Sequence, residues 1–248
     1  MAKAKTAFVC NDCGADYPKW QGQCTECHAW NTLTEIRLSA PATKSGKARV
    51  AGRSGYTGAV AAVQRLEDVA VVDLPRLASG FDELDRVLGG GFVPGSSILI
   101  GGHPGAGKST LLLQALCQLA AAHSALYVTG EESPEQIALR ANRLGLPTDR
   151  LQLMAETDVD AILTSAESLK PKILVIDSIQ VVHSETLTSA PGSVSQVRDC
   201  AAQLTRYAKQ TGTILILVGH VTKDGSLAGP KVLEHMIDCS ILLEGDHD

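Results

Sequence analysis

The sequence has no long apolar run and few aromatic residues. None of its apolar stretches approaches the roughly 20 residues that a membrane-spanning helix requires, and the N-terminal residues MAKAKTAFVC lack the apolar core of a secretory signal. Only 4% of the 248 residues are aromatic, which argues against base stacking as the main mode of nucleic-acid binding. With 44% hydrophobic and 20% charged residues, we expect a soluble, cytoplasmic, globular protein with no membrane partner.

Charge is divided unevenly along the chain, whose net charge is −5. Residues 1–56 carry eight Lys or Arg and four Asp or Glu, whereas residues 57–248 carry 14 and 23. The imbalance indicates an anionic partner near the N-terminal end, although ordinary surface variation explains it equally well. Residues 39–58 are small, polar and basic without an apolar period. We therefore predict a flexible linker there, between a module at 1–38 and a core at 59–248.

Four of the seven cysteines form two Cys-x2-Cys pairs, which are Cys10, Cys13, Cys24 and Cys27. Each pair brings two sulfurs to one side of a tight turn, and two such turns make a tetrahedron around Zn²⁺. An all-thiolate site is closed, so the pairs predict a structural zinc finger whose fold depends on the metal. Two alternatives are a haem attachment, because His28 completes a C-x-x-C-H pattern, and an iron site.

Both tryptophans of the chain, Trp20 and Trp30, flank the second cysteine pair. Large aromatic side chains usually dominate the packing of a small core. We expect both indoles to pack over the core of the zinc finger rather than to contact a nucleic acid.

The sequence pattern changes at about residue 75. A short amphipathic segment at 77–88 is followed by three glycines, and apolar runs then alternate with helical patterns. Continuous apolar strands between helices predict an α/β core with a mainly parallel sheet covered on both faces. Strands are predicted at 97–100, 125–129, 151–154, 173–176, 213–218 and 240–243, and helices at 108–122, 134–144, 158–168 and 194–210.

A glycine-rich segment between the first of these strands and the first helix matches G-x-x-x-x-G-K-[ST]. Glycines let backbone N–H groups close around phosphate oxygens, and the following helix start adds positive potential. Lys108 is expected to reach the β- and γ-phosphates of ATP, and Ser109 to hold Mg²⁺. The predicted ATP-binding residues of this segment are Gly102, His103, Pro104, Gly105, Ala106, Gly107, Lys108, Ser109 and Thr110.

Acidic residues follow two of the predicted strands. The strand at 173–176 runs into Asp177, which we expect to complete the Mg²⁺ site of the nucleotide. The strand at 125–129 is followed by Glu131 and Glu132, and the carboxylate of Glu131 is predicted to deprotonate the attacking water. The other interpretation is that both acids favour the N-terminus of the helix that follows.

A polar segment follows the strand predicted at 213–218. His220 is placed to sense the γ-phosphate, although a lone histidine is more often structural. The loop at 223–231 carries Lys223 and Lys231 among small residues, and this composition suits contact with nucleic-acid phosphates.

Together these motifs resemble the RadA (Sms) family of bacterial DNA-repair proteins. The resemblance rests on the cysteine pairs, the segment at 77–91, and the runs GGHPGAGKSTLLLQ, YVTGEES, VIDSIQ and GHVTKDGSLAGPKVLEHMID. The phosphate loop alone is not specific, whereas the cysteine pairs combined with HVTKDGSLAGPKVLEH are. The family's Lys-Asn-Arg-Phe-Gly motif and C-terminal Lon-protease-like domain are expected beyond Asp248. His103 stands where we expect a smaller polar residue.

The resemblance implies a RecA-like P-loop ATPase core working as a ring-shaped, DNA-stimulated, helicase-like motor. Such a motor promotes branch migration of recombination intermediates. Its implied partners are single-stranded and branched DNA, the RecA recombinase and further copies of the chain in a hexameric ring. By motif match, residues 102–110 bind ATP, Ser109 and Asp177 hold magnesium, and Glu131, Lys108 and His220 are catalytic.

Two other functions share parts of this pattern. A KaiC-like regulatory ATPase has the same triple glycine and phosphate loop but signals through its assembly state. The second is a zinc-dependent interaction module on a core with little ATP turnover. The cysteine pairs and the segment KDGSLAGPK favour the DNA motor.

Overall fold

A computed structural model of the chain describes residues 5–10, 15–26, 28–38, 65–68, 75–220, 233 and 235–244. These residues form a small antiparallel sheet near the N-terminus and a larger parallel sheet after residue 96. The predicted linker at 39–58 and the predicted DNA-facing loop at 223–231 lie outside the described residues. The domain boundaries therefore stay a prediction.

The N-terminal sheet contains β1 (Lys5–Cys10), β2 (Asp16–Tyr17) and β3 (Leu33–Leu38), in the order β2-β1-β3. Its buried core consists of Cys10, Cys24 and Leu33, with Phe8, Ala15 and Tyr17 packed against it. The expectation that the tryptophans cover this core is wrong. Trp20 is 56% exposed and Trp30 is 69% exposed, because the cysteines and aliphatic side chains already fill the small interior.

The larger sheet is parallel throughout, with the strand order β6-β5-β7-β8-β4-β9. All six predicted strands are present, with bounds shifted by at most two residues. The α/β architecture predicted from the sequence is thereby confirmed. The strands are β4 (Ser97–Gly102), β5 (Ala125–Thr129), β6 (Gln152–Ala155), β7 (Ile173–Asp177), β8 (Ile214–Val218) and β9 (Cys239–Leu243).

Helices cover both faces of this sheet, as continuous apolar strands require. They are α1 (Asp82–Val87), α2 (Lys108–Leu119), α3 (Pro134–Arg143), α4 (Val159–Leu169) and α5 (Val194–Thr211). Alternate strand residues such as Ile98 and Val175 pack with α1, α2 and α3, whereas their neighbours Leu99 and Leu174 pack with α4 and α5. Among the described residues, no helix combines the length and the apolar character needed to cross a membrane.

The segment at 77–88 folds differently from its predicted pattern. Leu77 pairs with Phe92 through two backbone hydrogen bonds of 2.8 Å, and the helix α1 begins only at Asp82. Gly80, with φ of 85°, turns the chain between the bridge and the helix. The apolar positions of this segment therefore serve a strand-like bridge and a short helix, not a single amphipathic helix.

Candidate functional site

The predicted catalytic residues meet at the carboxyl edge of the parallel sheet. The phosphate-loop segment follows β4, Glu131 follows β5, Asp177 ends β7, and His220 follows β8. These four strands are consecutive neighbours in the order β5-β7-β8-β4. Parallel strands place their carboxyl ends at one edge, where α/β proteins bind ligands. Residues separated by more than one hundred positions are therefore assembled into one site.

The glycine-rich loop enters α2 through a left-handed residue. Gly105 and Gly107 have φ of 85° and 88°, and an added Cβ at either would touch nothing within 4 Å. Glycine is favoured there by backbone conformation and not by crowding. Gly107 caps α2 without a side-chain hydrogen bond, and the first turn of α2 contains no acid. This helix start suits an anion because neither a capping side chain nor a carboxylate occupies its N–H groups.

Lys108 lies inward at the start of α2, with only 5% of its surface exposed. Its Nζ donates hydrogen bonds to the carbonyl oxygens of Gly102 at 2.8 Å and His103 at 2.9 Å. Burial lowers the pKa of Lys108, and the charges of Asp177 and Glu131 oppose this shift. The ammonium group is therefore held by the loop backbone, and the two carboxylates favour its charged form.

Gly102 is buried like Lys108, whereas the other loop residues are more accessible. His103, Pro104 and Gly105 are exposed, whereas Ser109 and Thr110 are half-buried in the first turn of α2. The exposed loop can approach a ligand, and the hydroxyls of the first turn lie behind it.

Asp177 is 7% exposed and accepts a hydrogen bond at Oδ2 from the hydroxyl of Tyr127. Tyr127 lies on the neighbouring strand β5, where Thr129 is paired with Asp177. Burial, followed by the charge of Asp177, raises the pKa of Tyr127, so the phenol stays a neutral donor. The aspartate is consequently oriented by a buried partner on an adjacent strand.

Glu131 has two partners, which follow the ends of β7 and β8. Its Oε1 accepts a hydrogen bond from Ser178 Oγ and lies 3.0 Å from Nε2 of His220. Burial pushes the pKa of Glu131 upward, but the hydrogen bonds of Ser178 and His220 and the charges of His220 and Lys108 outweigh it. The net result is a pKa of Glu131 below its ordinary value, so the group is a carboxylate at neutral pH.

Glu132 points away from this cluster and forms an ion pair with Arg140 on α3. A strand pleat does not separate the two glutamates, because β5 ends at Thr129. The separation instead arises from a turn in which Thr129 Oγ1 bonds both the N–H and the carbonyl of Glu132. Gly130 is required in this turn because an added Cβ would lie 2.3 Å from Val181 Cγ2.

The two described cysteines of the N-terminal module lie together. Cys10 and Cys24 are fully buried in one cluster. Each sulfur has a hydroxyl neighbour at 3.2 Å, Thr32 for Cys10 and Tyr17 for Cys24. Buried sulfurs with hydroxyl neighbours suit metal-bound thiolates. Within the described ranges no group of three metal-ligating side chains occurs, and Cys13 and Cys27 lie outside those ranges.

Three residues of the site were missed by the sequence analysis. Tyr127 stood inside an apolar strand and Ser178 directly followed an expected acid, and each bonds a predicted carboxylate. Arg140 on α3 binds Glu132. A polar hydroxyl in an otherwise apolar strand was the available signal for Tyr127, whereas the partner of Arg140 depended on the tertiary fold.

Similarity to known proteins agrees with this geometry. A family described as "AAA domain" matches residues 61–226, and one described as "Rubredoxin metal binding domain" matches residues 8–35. The chain is 63% identical to the DNA repair protein RadA of Escherichia coli (strain K12). The match covers 100% of this chain and 54% of that protein. It is 46% identical to the RadA of Bacillus subtilis (strain 168), covering 99% of this chain and 53% of that protein.

The chain thus spans about half the length of the curated relatives that it matches. A solved structure of a KaiC-like protein from Pyrococcus horikoshii OT3 has a TM-score of 0.58 at 23% identity, covering 69% of this chain and 81% of that one. At this identity the likeness shows the fold alone. The resemblance to RadA proteins that the motifs predicted is confirmed, and the match over residues 61–226 shows that the protein belongs to the AAA domain family.

Proposed function

We propose that this chain binds Mg²⁺-ATP at the carboxyl edge of the parallel sheet and hydrolyses it as part of a DNA-dependent motor for recombinational repair. The observation that carries the proposal is that the phosphate loop with Lys108, Glu131 and Asp177 lie at the carboxyl ends of neighbouring parallel strands. A cation for phosphate oxygens, an acid for a metal and an acid for water are the three groups that ATP hydrolysis requires.

The phosphate loop supplies binding and charge. Backbone N–H groups at 102–110 surround the phosphates, and Lys108 exchanges its carbonyl partners for β- and γ-phosphate oxygens. Ser109 and Asp177 are the residues that would hold magnesium, and that ion, when bound, neutralises charge that develops on the phosphate oxygens. Tyr127 bonds Oδ2 of Asp177, so Oδ1 would be the oxygen that meets the metal.

Glu131 is the proposed base, and His220 and Ser178 control it. A carboxylate with a lowered pKa is ionised at neutral pH and can accept a proton from water. Its Oε1 is bonded by both Ser178 and His220, so the proton must be taken by Oε2 or after these bonds rearrange. His220 lies three residues before the predicted DNA-facing loop at 223–231, so we propose that contacts made by that loop reach the base through His220.

DNA is the proposed partner because the relatives of this chain are named DNA repair proteins. Lys223 and Lys231 are the residues we propose to contact its phosphates. We propose single-stranded and branched DNA as the substrates, branch migration as the activity, and the RecA recombinase and a hexameric ring of this chain as the assembly. The corresponding location is the cytoplasm. These statements concern the whole protein. The chain spans about half the length of its curated relatives.

A structural metal is proposed for the N-terminal module. Cys10, Cys13, Cys24 and Cys27 would bind Zn²⁺, which when present links the two cysteine turns into one folded unit. The buried sulfurs of Cys10 and Cys24 and their hydroxyl neighbours support this site.

The test is an ATPase assay on the purified protein with and without single-stranded DNA. We expect turnover that DNA stimulates, and we expect Lys108→Ala to abolish it while circular dichroism is unchanged. Lys172→Ala is the matched control, because this lysine precedes β7 at the opposite edge of the sheet. Full hydrolysis by Lys108→Ala would overturn the site assignment. ATP turnover that does not respond to DNA would favour a KaiC-like regulatory ATPase. Negligible ATP turnover would favour a zinc-dependent interaction module.

The loop contribution has a separate test. Changing Lys223 and Lys231 to Ala should weaken binding of single-stranded DNA whatever its sequence. The slope of the binding constant against salt should fall by about one to two units, since each lost phosphate contact removes roughly 0.7. An unchanged affinity and slope in fluorescence anisotropy would remove this loop from the DNA path.

A further inference from the structure

Trp20 and Trp30 are the most exposed aromatic side chains among the described residues. They are 56% and 69% exposed, whereas Phe92, Tyr127 on β5 and Tyr207 on α5 are 0%, 1% and 6% exposed. An indole left in water forgoes the stabilisation of burying a large apolar surface. Two such side chains on one small module, and not covering its core, indicate a surface that contacts something else.

Both indoles lie over the same glycine. A Cβ added at Gly22 would lie 3.7 Å from Cζ3 and 3.9 Å from Cε3 of Trp30, and 3.9 Å from Cη2 of Trp20. These atoms all belong to the six-membered halves of the indoles, so the two rings face one spot that has no side chain. We call Trp20, Gly22 and Trp30 the tryptophan patch.

The backbone beneath the patch is fixed by hydrogen bonds. Asn31 N–H donates to the carbonyl of Gly22 at 2.7 Å, and Gln23 is paired with Trp30 in an antiparallel bridge. The side chain of Gln23 also donates from Nε2 to the carbonyl of His28 at 2.8 Å. Because this hairpin is held at three points, binding need not order its backbone.

The net charge of the N-terminal segment suits a polyanion. Residues 1–56, which include both tryptophans, carry eight Lys or Arg and four Asp or Glu. Lys19 beside Trp20 is exposed, as is Glu26 between the two tryptophans. Exposed aromatic rings on a positively charged segment are the combination that binds unpaired nucleic acid: rings stack on bases while cations attract phosphates. An apolar peptide would gain nothing from the excess of positive charge.

We propose that the tryptophan patch stacks on unpaired bases of single-stranded DNA. The inference rests on the proposed function for its choice of DNA, but it concerns a second contact that is separate from the ATPase site and from the loop at 223–231. Stacking is tolerant of sequence, since every base has a π face. The patch would therefore bind any single strand and bind duplex DNA, whose bases are already stacked, less well.

Trp20 and Trp30 are the only two tryptophans of the chain, so tryptophan emission reports on the patch alone. We expect oligo(dT) to quench the emission of the protein. An abasic strand of equal length, which keeps the phosphates and lacks the bases, should quench it little. Equal quenching by both strands, or none by either, would overturn the inference.

Variants separate stacking from structure. Trp20→Ala and Trp30→Ala should each weaken oligo(dT) binding in anisotropy by roughly 5- to 100-fold per lost base contact, whereas Trp20→Phe and Trp30→Phe should retain most of it. Leu139→Ala is the control, because Leu139 is a 70% exposed apolar residue on α3. Metal content and circular dichroism confirm that each variant is folded, and the Phe variants keep the test valid if an Ala variant unfolds.

The outcomes also separate this inference from the proposed function. Suppose that oligo(dT) binds and stimulates ATP turnover, but does not quench tryptophan emission, and that the Ala variants bind it as tightly as the parent protein. The inference about the patch is then wrong while the proposed function stands. If oligo(dT) neither binds nor stimulates turnover, both fail.

Discussion

The hydroxyl of Tyr127 donates a hydrogen bond to Oδ2 of Asp177, which lies fifty residues later in the chain. The two side chains lie on adjacent parallel strands and are 1% and 7% exposed. A hydrogen bond to a buried carboxylate is stronger than one between neutral groups, because the alternative is an uncompensated charge. Tyr127 therefore fixes one oxygen of Asp177.

Replacing Tyr127 with Phe should weaken the use of magnesium. The packing of the ring is kept while Asp177 loses its donor, so its carboxylate is free to turn. We expect the Mg²⁺ concentration for half-maximal ATP turnover to rise by about 2- to 10-fold, and the free energy of unfolding to fall by roughly 1–3 kcal/mol. A magnesium titration at saturating ATP and urea unfolding measure the two effects.

Tyr207→Phe is the matched control for that experiment. Tyr207 is also buried, and its hydroxyl donates to the carbonyl of Ala166 at 2.8 Å, between α5 and α4. It should lower stability without changing the magnesium requirement. A magnesium shift of equal size in both variants would mean that Tyr127 acts only through stability.

The two glutamates after β5 should have separable roles. Glu131→Gln keeps the shape of the side chain and removes the base, so ATP should bind normally while turnover falls by roughly 10²-fold or more. Glu132→Gln removes the charge that pairs with Arg140, so stability should fall by about 1–2 kcal/mol with turnover largely retained. Single-turnover rates and urea unfolding distinguish them, and a reversed pattern would assign catalysis to Glu132.

Stability should depend on pH through Glu131. Its pKa in the folded protein is lowered, so the ionised group stabilises the fold at pH values above its ordinary pKa of about 4.3. This stabilisation is lost as the pH falls through the lower, folded-state pKa. The difference in unfolding free energy between the parent protein and Glu131→Gln should thus be present at pH 7 and vanish in acid. A difference that is the same at pH 7 and pH 3 would contradict the assigned contacts.

Metal removal should unfold the N-terminal module alone. Elemental analysis should find about one zinc ion per chain, and Cys10→Ser or Cys27→Ser should release it. The N-terminal module should then lose its fold, while the circular dichroism of the helices is retained. Cys200→Ser, at a buried position on α5, should keep the metal. Iron or haem in place of zinc would show that a rejected alternative was correct.

Local chemistry made much of the core predictable. The strands β5, β7 and β8 are continuous apolar runs and α3 starts with a Ser133 capping box and a proline, so their positions follow from nearest neighbours in the sequence. The segment at 77–88 was misread because its apolar spacing suits a helix, whereas pairing of Leu77 with Phe92 decides its conformation. Such a pairing is a contact between two segments, and no local pattern contains it.

The sequence by itself determined which residues can bind a phosphate, which carboxylates can hold a metal ion and which thiolates can hold zinc. These capacities depend on residue type and on close spacing along the chain. The tertiary structure alone decided which groups act together. Strand order brings Tyr127 to Asp177, and brings Ser178 and His220 to Glu131. A turn sends Glu132 to Arg140, and a filled small core leaves Trp20 and Trp30 in solvent. These outcomes depend on which distant segments compete for the same space, and spacing along the chain does not encode that competition.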